Sequence, residues 1–203
     1  MNKTFNIFST GMRLCENIPL ADSLLESCKD ILSKCNNHES YAFGKTSFFN
    51  KELDLFKDHR FDKFKDYVIR EAFNYLKDCG MDVENLKLVP SIAWVSEMYK
   101  GGSHPHHSHA PYCQISGNFW VHADEKSSPL IFYRDKGLAD IWQDFPIKNK
   151  TVFNIDQLEV QAKKGSMAIW KSDIIHSVYN NKSDSRIAIS FNLILINSKI
   201  KHI

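Results

Sequence analysis

Near its end the chain reads Arg186-Ile187-Ala188-Ile189-Ser190-Phe191-Asn192, and an apolar run follows at once. Successive side chains of a β-strand point to opposite faces, so this stretch predicts a strand with one polar and one apolar face. Arg186, Ser190 and Asn192 share the polar face. The apolar flanks favour a polar face turned towards an interior site, although an edge strand facing water, or a salt bridge from the arginine to Asp184, is also compatible with the pattern.

Further strand-like segments precede this one, and turns rich in Gly, Pro, Asn, Asp and Lys separate them. The predicted strands are Leu88 to Tyr99, Ser116 to His122, Pro129 to Tyr133, Thr151 to Ile155, Leu158 to Ala162, Ser166 to Trp170 and Arg186 to Ile196. Short strands at this spacing are typical of a sandwich, barrel or jelly roll rather than of alternating βαβ units.

Two segments before these strands carry apolar residues at helical spacing, Pro19 to Cys35 and Phe61 to Lys77. Asp22 or Ser23 is the expected N-cap of the first helix, and Gly80 is the expected C-cap of the second. We therefore expect an α+β fold, a cupin-like double-stranded β-helix (jelly roll) with the N-terminal helices packed on its outside. A single domain is expected over residues 1–203, with a mainly helical part over 1–87 and a β-helix core over 88–203.

Composition excludes several classes of protein. The 203 residues carry a formal net charge of +2, with 43% hydrophobic and 25% charged residues, which is ordinary for a globular protein. Positive and negative residues are interspersed, so we expect neither nucleic acid nor a membrane as partner. The five cysteines contain no CxxC pair, and no signal peptide or membrane-spanning run is present. A cytoplasmic location is the resulting expectation.

Four of the nine histidines fall between Gly101 and Pro111, at positions 104, 106, 107 and 109. Neutral imidazole is the commonest protein ligand of transition metals. If His107 and His109 lie on a strand, they point to the same side and could share one ion. A histidine-rich loop that binds no metal, or binds one adventitiously, is the alternative.

A fifth histidine, His176, lies between two strand-like runs far along the chain. A barrel can bring such a residue back beside an earlier pair of ligands. A core histidine bonded to a backbone carbonyl would leave the same pattern. Arg186 follows ten residues later, and its planar fork could bind a carboxylate at two points, which favours an anionic ligand such as a dicarboxylic acid near the metal.

Taken together, these motifs resemble the 2-oxoglutarate- and Fe(II)-dependent oxygenases of phages and bacteria. The motifs occur in the order His107-x-His109, Ser116-Gly117, Gly165-x-x-x-Ile169-Trp170 with His176-x-Val178, and Arg186 to Asn192. Each is short, but the order extends over roughly a hundred residues and is far more specific than any one of them. The resemblance covers nearly the whole chain and implies a double-stranded β-helix that holds Fe(II).

The resemblance also implies roles for the histidines. His107 and His176 correspond to iron ligands, and His109 to the third ligand. The usual set in this superfamily is two histidines and one carboxylate. Either a three-histidine site forms, or a carboxylate arrives from elsewhere, and the spacing to Ser116 leaves His104 or His106 as alternatives.

For the co-substrate, 2-oxoglutarate, the resemblance implies a salt bridge from Arg186 to its distal carboxylate. A serine two residues after the arginine often helps, but this chain has Ala188 there. We expect Ser190 and Asn192 to help instead, with Tyr99, Tyr112 and Tyr133 as further candidates.

The reaction implied is hydroxylation of a small metabolite or amino-acid-like substrate by O2, with release of succinate and CO2. Two other functions fit the histidines, a cupin-type three-histidine iron dioxygenase without co-substrate and a non-enzymatic β-sandwich that binds a metal. A small-molecule substrate is the expected partner, and a homodimer is compatible with the sequence.

Overall fold

The computed structural model describes residues 3, 10–36, 43–134, 146, 148–149, 151 and 154–199. Within these residues, two antiparallel sheets face each other and helices cover the outside of the larger one. This is the double-stranded β-helix with external helices that the sequence predicts. No helix of the described part is long and apolar enough to cross a membrane.

Two α-helices lie in the described part of the chain, α1 (Ala21–Ser33) and α2 (Asp62–Asp78), and single 3-10 turns span Lys51–Leu53, Leu55–Lys57 and His59–Phe61. The predicted N-cap of α1 is wrong. That helix begins after Leu20 without a side-chain cap, because Ser23 Oγ donates back to Leu20 O instead. Gly80 follows α2 in the left-handed conformation, with φ of 77°, as expected.

The strands of the described residues are β1 (Met12–Cys15), β2 (Gly44–Thr46), β3 (Leu86–Met98), β4 (His104–His107), β5 (Ile115–His122), β6 (Leu130–Tyr133), β7 (Gln157–Val160), β8 (Met167–Lys171), β9 (His176–Val178) and β10 (Arg186–Asn197). The large sheet has the order β1-β8-β5-β10-β3-β2, and the small sheet has the order β4-β9-β6-β7. The predicted strand Thr151 to Ile155 is wrong where it is described, because the amides of Asn154 and Ile155 both bond to Thr151 O and form a turn. Residues 152–153 lie outside the described residues.

Successive side chains of the central strands point to opposite faces of the large sheet and form two separate hydrophobic layers. On β5, Phe119 faces the helices, and its ring centroid lies 5.5 Å from that of Phe64 on α2. Trp120, one residue on, is buried between the two sheets. On β10, Phe191 belongs to the layer beneath the helices, whereas Ala188 belongs to the layer between the sheets. The helices therefore bury the outer face of the large sheet and leave its inner face for the interior of the β-helix.

Candidate active site

The polar face of β10 opens into a cavity of about 790 Å³ between the sheets. Arg186, Ala188, Ser190 and Asn192 all line it. β10 pairs with β5 on one side and β3 on the other, so it is a central strand. This position excludes the alternative of an edge strand whose polar face meets water.

The histidine-rich segment enters the cavity through an irregular strand. β4 pairs with β9 so that His107 lies opposite His176, and a bulge falls between His104 and His107. The extra residue in β4 lets the side chains of His104 and His107 both face the cavity, and their ring centroids lie 4.1 Å apart. His106 packs instead against Tyr133, at 4.0 Å between centroids. The bulge thus decides which histidines of the segment reach the interior.

His107, His109 and His176 come together, with one donor atom of each lying within 4.8 Å of those of the other two. The Nε2 atoms of His109 and His176 are 3.3 Å apart. His109 lies just beyond β4, and its backbone amide is held by Ser172 O at 2.8 Å. The two histidines of the His107-x-His109 motif therefore converge because a loop is anchored, not because both lie on one strand.

Hydrogen bonds at the second ring nitrogen orient two of the three imidazoles. His107 Nδ1 lies 2.8 Å from Pro105 O, and His176 Nδ1 lies 2.9 Å from Ile174 O. A carbonyl can only accept, so both rings carry their proton on Nδ1 and offer Nε2 as a ligand atom. This is the usual way in which a metal-binding histidine is fixed.

Burial keeps these histidines neutral. Burial, together with the smaller effect of neighbouring histidines, lowers the pKa of His176 to about 3 and that of His109 to about 4. Burial also lowers the pKa of His107. Neutral imidazoles bind transition metals, and the cluster of described residues contains no carboxylate. The donor set therefore fits a divalent iron held by three nitrogen atoms.

Arg186 supplies a cation at the same cavity. Its side chain is only 5% exposed, and its Nε donates to Ser128 O at 3.2 Å. The guanidinium carbon lies 5.9 Å from the ring centroid of Trp120. A buried cation held by backbone and aromatic contacts is suited to bind an anion that enters the cavity.

Two polar groups lie close together on the wall between the arginine and the histidines. Ser190 Oγ donates to Asn118 Oδ1 at 3.2 Å. Asn118 is buried, lines the cavity, and its Nδ2 has no hydrogen-bond partner among the described residues. Sequence reasoning missed Asn118, although its place two residues after Ser116 on an inner strand face is a usable signal.

Asn192 and the tyrosines, which are expected to help bind the co-substrate, lie at different places around the cavity. The amide of Asn192 lies at the histidines, with Nδ2 3.3 Å from His109 Nδ1. Tyr112 lines the cavity but is 84% exposed. The hydroxyl of Tyr99 bonds to Glu97 and that of Tyr133 to Ser177, and neither residue lines the cavity.

Aromatic rings form the outer wall of the cavity. The ring centroid of Trp94 lies 5.9 Å from that of His109, and the centroid of Phe48 lies 5.0 Å from that of Trp94. Phe49 continues this wall outward at 5.4 Å from Phe48. An apolar path therefore leads from the surface to the histidines.

A family model described as "Putative 2OG-Fe(II) oxygenase" matches residues 92–192, which include all three clustered histidines and Arg186. No curated protein has significant sequence similarity to the chain.

Solved structures share the fold at low sequence identity. A prolyl-4-hydroxylase from Pseudomonas putida has a TM-score of 0.61 at 10% identity, covering 92% of this chain and 93% of that one. A viral collagen prolyl hydroxylase from Paramecium bursaria Chlorella virus-1, in complex with 2-oxoglutarate, has a TM-score of 0.55 at 15% identity, with 90% and 94% covered. The 2-oxoglutarate-dependent carbocyclase SnoK of nogalamycin biosynthesis has a TM-score of 0.60 at 12% identity, with 91% and 79% covered.

The family match and the three-histidine cluster agree with each other, and the shared fold is that of enzymes that use the same co-substrate. The chain belongs to the 2OG-Fe(II) oxygenase family, whose metal is Fe(II) and whose co-substrate is 2-oxoglutarate.

Proposed function

We propose that this oxygenase hydroxylates a small, amino-acid-like substrate, with iron held by His107, His109 and His176. The observation that carries the proposal is that the three histidines and the buried Arg186 face one cavity. Arg186 lines the same cavity as the histidines and supplies the cation that the distal carboxylate of a dicarboxylic co-substrate requires. The arginine therefore favours the reading with 2-oxoglutarate over the cupin-type alternative.

In this proposal each histidine binds the metal through Nε2. When bound, iron and 2-oxoglutarate supply the oxidation, in which O2 converts 2-oxoglutarate to succinate and CO2 and the second oxygen atom enters a substrate C–H bond. His107, His109 and His176 would hold the ion, and the cavity beside them would admit the co-substrate. The chain's own contribution is to hold the ligand nitrogens neutral and close together, and to bury His176.

Arg186 is proposed to bind the distal carboxylate of 2-oxoglutarate. A bidentate arginine–carboxylate pair adds orientation as well as energy, and inside a cavity little water screens it. The hydroxyl proton of Ser190, which is donated to Asn118 Oδ1, would turn to the carboxylate, and the unpartnered Nδ2 of Asn118 is a second donor on the same wall. These groups would fix the co-substrate so that its 2-oxo acid end points to the histidines.

The substrate is proposed to enter along the aromatic wall formed by Phe48, Phe49 and Trp94, which ends at His109. Such a wall suits a substrate with an apolar part. Two of the similar structures are prolyl hydroxylases, which favours an amino-acid-like substrate. SnoK is a carbocyclase on the same fold, so the fold alone does not determine the reaction outcome.

An anaerobic titration tests this proposal. We expect Fe(II)-loaded protein to develop the visible charge-transfer band of an iron–2-oxoglutarate chelate. Arg186→Ala should weaken 2-oxoglutarate binding about 30-fold or more, because removing one partner of a buried charge pair costs at least about 2 kcal/mol. Arg70→Ala is the matched control, since Arg70 lies on the exposed side of α2. Absence of the band in the wild type, or equal affinities for wild type and Arg186→Ala, would contradict the proposal.

A further inference from the structure

We propose that Asn192 is a positioning residue that selects the tautomer of His109, and that its amide turns over when metal binds. The inference rests on the proposed metal site. His109 differs from the other two histidines in the group that its Nδ1 contacts. Nδ1 of His107 and of His176 lies at a backbone carbonyl, whereas Nδ1 of His109 lies at a side-chain amide. An amide can face a ring nitrogen with either a donor or an acceptor, so only His109 can exchange tautomers without losing its partner.

A chain of buried polar groups leads to this amide. Cys113 Sγ lies 3.1 Å from Ser172 Oγ, which lies 2.8 Å from Ser116 Oγ. Ser116 Oγ donates to Asn192 Oδ1 at 2.9 Å. Cys113, Ser116 and Ser172 are each no more than 4% exposed, and Asn192 is 9% exposed. Water therefore has little access to the chain, and its members must satisfy one another.

In the arrangement just described, every hydrogen bond runs in one direction. Ser116 donates its single hydroxyl proton to Asn192 Oδ1. Ser172 must therefore donate to Ser116, and Cys113 to Ser172. Asn192 Nδ2 then donates to His109 Nδ1, which leaves the ring proton on Nε2.

From His109 the chain continues to His176. His109 Nε2 donates to His176 Nε2 at 3.3 Å, and His176 Nδ1 donates to Ile174 O. This arrangement satisfies all its members without a metal ion.

A metal ion cannot bind to Nε2 of His109 while that atom carries the ring proton. His109 can use Nε2 as a ligand atom only if its proton moves to Nδ1, and Asn192 must then present an acceptor to Nδ1. Turning the amide over exchanges Oδ1 and Nδ2. His109 Nδ1 then donates to Oδ1, and Nδ2 donates to Ser116 Oγ at the distance that the donor and acceptor already have.

After the amide has turned over, every donor in this row of hydrogen bonds again has an acceptor. Ser116 then donates to Ser172, and Ser172 to Cys113 Sγ. The thiol retains an acceptor of its own, because Cys113 Sγ lies 3.7 Å from His109 O. The same side chains thus offer two closed sets of hydrogen bonds, one for each tautomer of His109. The reversed set leaves the Nε2 lone pairs of His109 and His176 facing each other, which is favourable only with a cation between them.

The first test is spectroscopic and needs no turnover. Two-bond 1H–15N correlations of ¹⁵N-histidine-labelled protein distinguish Nδ1–H from Nε2–H rings, and His109→Gln identifies the signals of His109. We expect His109 to be Nε2–H in metal-free protein and Nδ1–H after addition of Zn(II), a diamagnetic probe. His107 and His176 should be Nδ1–H in both states. One and the same tautomer of His109 in both states would overturn the proposal.

Variants test the role of Asn192 itself. A carboxylate only accepts, so Asn192→Asp should give the Nδ1–H tautomer even without metal, and should bind Zn(II) at least as tightly as the wild type. Asn192→Leu keeps the size but removes the partner, and should weaken Zn(II) binding about 10- to 100-fold. A merely structural role for the amide predicts the opposite for Asn192→Asp, because a buried charge would be destabilising. Zn(II) affinity of Asn192→Asp as low as that of Asn192→Leu would overturn the inference.

Asn74→Leu is the matched control. It makes the same substitution at a half-buried asparagine of α2, whose amide donates to Glu71 rather than to a histidine. Its His109 tautomer and Zn(II) affinity should equal those of the wild type, and an equal loss in this variant would overturn the assignment to Asn192. If wild-type protein bound no Zn(II), the metal site itself would fall. Wild-type binding with an unchanged tautomer would reject only the present inference.

Discussion

At the residue scale, Gly117 shows how closely the large sheet is packed. It lies opposite Phe191 in the register of β5 and β10. A Cβ at this position would lie 2.1 Å from Cζ of Phe191, a ring that is fully buried and packs against Phe64. The glycine of the Ser116-Gly117 motif is therefore required because the aromatic ring occupies the space of a side chain.

Gly117→Ala should therefore destabilise the protein. We expect a loss of about 1–3 kcal/mol in the free energy of unfolding, the usual cost of overpacking a core. Urea denaturation measures it. Gly11→Ala is the control, because a Cβ there would approach no atom closer than 3.8 Å. Equal stability of Gly117→Ala and wild type would show that the ring of Phe191 can move aside.

The site residues that can be predicted from the sequence are those whose position follows from the alternation of side chains along a strand. The period-two pattern places Arg186, Ser190 and Asn192 on one face, and the structure puts all three on the cavity wall. The contact between Asn192 and His109 could not be predicted, because it joins β10 to a loop that is positioned only by Ser172 O. A residue's face follows from its own strand, whereas its partner depends on elements far away in sequence.

At the element scale, too, features that depend on the local sequence can be predicted, and features that depend on distant partners cannot. The long strands β3, β5 and β10 are predictable because their composition and alternation extend over many residues. β1 is four residues long, and its place at the edge of the large sheet depends on pairing with β8. The bulge in β4 likewise arises from pairing with β9, so the sequence could not show which histidines turn inward.

β1 is also held by a partly buried ion pair with α2. Arg13 donates to Glu71 Oε2 from Nε at 3.1 Å and from Nη2 at 2.8 Å. Burial raises the pKa of Glu71, but hydrogen bonds from Arg13, Arg70 and Asn74 outweigh it, and the pKa lies below its ordinary value. A depressed carboxyl pKa stabilises the fold above the pKa of the unfolded chain, and this stability is lost as pH falls through the folded-state pKa.

Glu71→Gln should therefore be less stable than wild type at pH 7, by about 1–3 kcal/mol. The difference should shrink as the pH falls through the depressed pKa of Glu71, where the wild-type carboxylate takes up a proton. Urea unfolding of both proteins at several pH values measures this. Glu26→Gln, at an exposed position on α1, should match the wild type throughout. A difference between Glu71→Gln and wild type that stayed constant with pH would argue against the ion pair as its source.

At the scale of the whole molecule, the site connects the two sheets. His107 and His176 come from the small sheet, and Arg186 and Ser190 come from the large one. A ligand that bridges them binds the folded protein and not the unfolded chain, so it stabilises by mass action. The sequence predicted the β-helix, and the geometry of the cavity follows from how its sheets face each other.

Metal and 2-oxoglutarate together should raise the melting temperature more than metal alone. At ligand concentrations of about 100 times Kd the gain is about 2.7 kcal/mol, or about 5–10 °C for a chain of this size. Differential scanning calorimetry with Mn(II), a redox-stable probe, measures the shift. In Arg186→Ala the shift from Mn(II) should persist and the added shift from 2-oxoglutarate should disappear. An undiminished added shift in that variant would place the co-substrate elsewhere.

The central claim is a three-histidine metal site opposite a buried arginine. A crystal structure of the protein grown anaerobically with Mn(II) and 2-oxoglutarate tests it most directly. We predict Mn(II) on Nε2 of His107, His109 and His176, no carboxylate ligand from the protein, and the distal carboxylate of 2-oxoglutarate on Arg186. A metal held by a different set of side chains, or a co-substrate bound away from Arg186, would contradict the account.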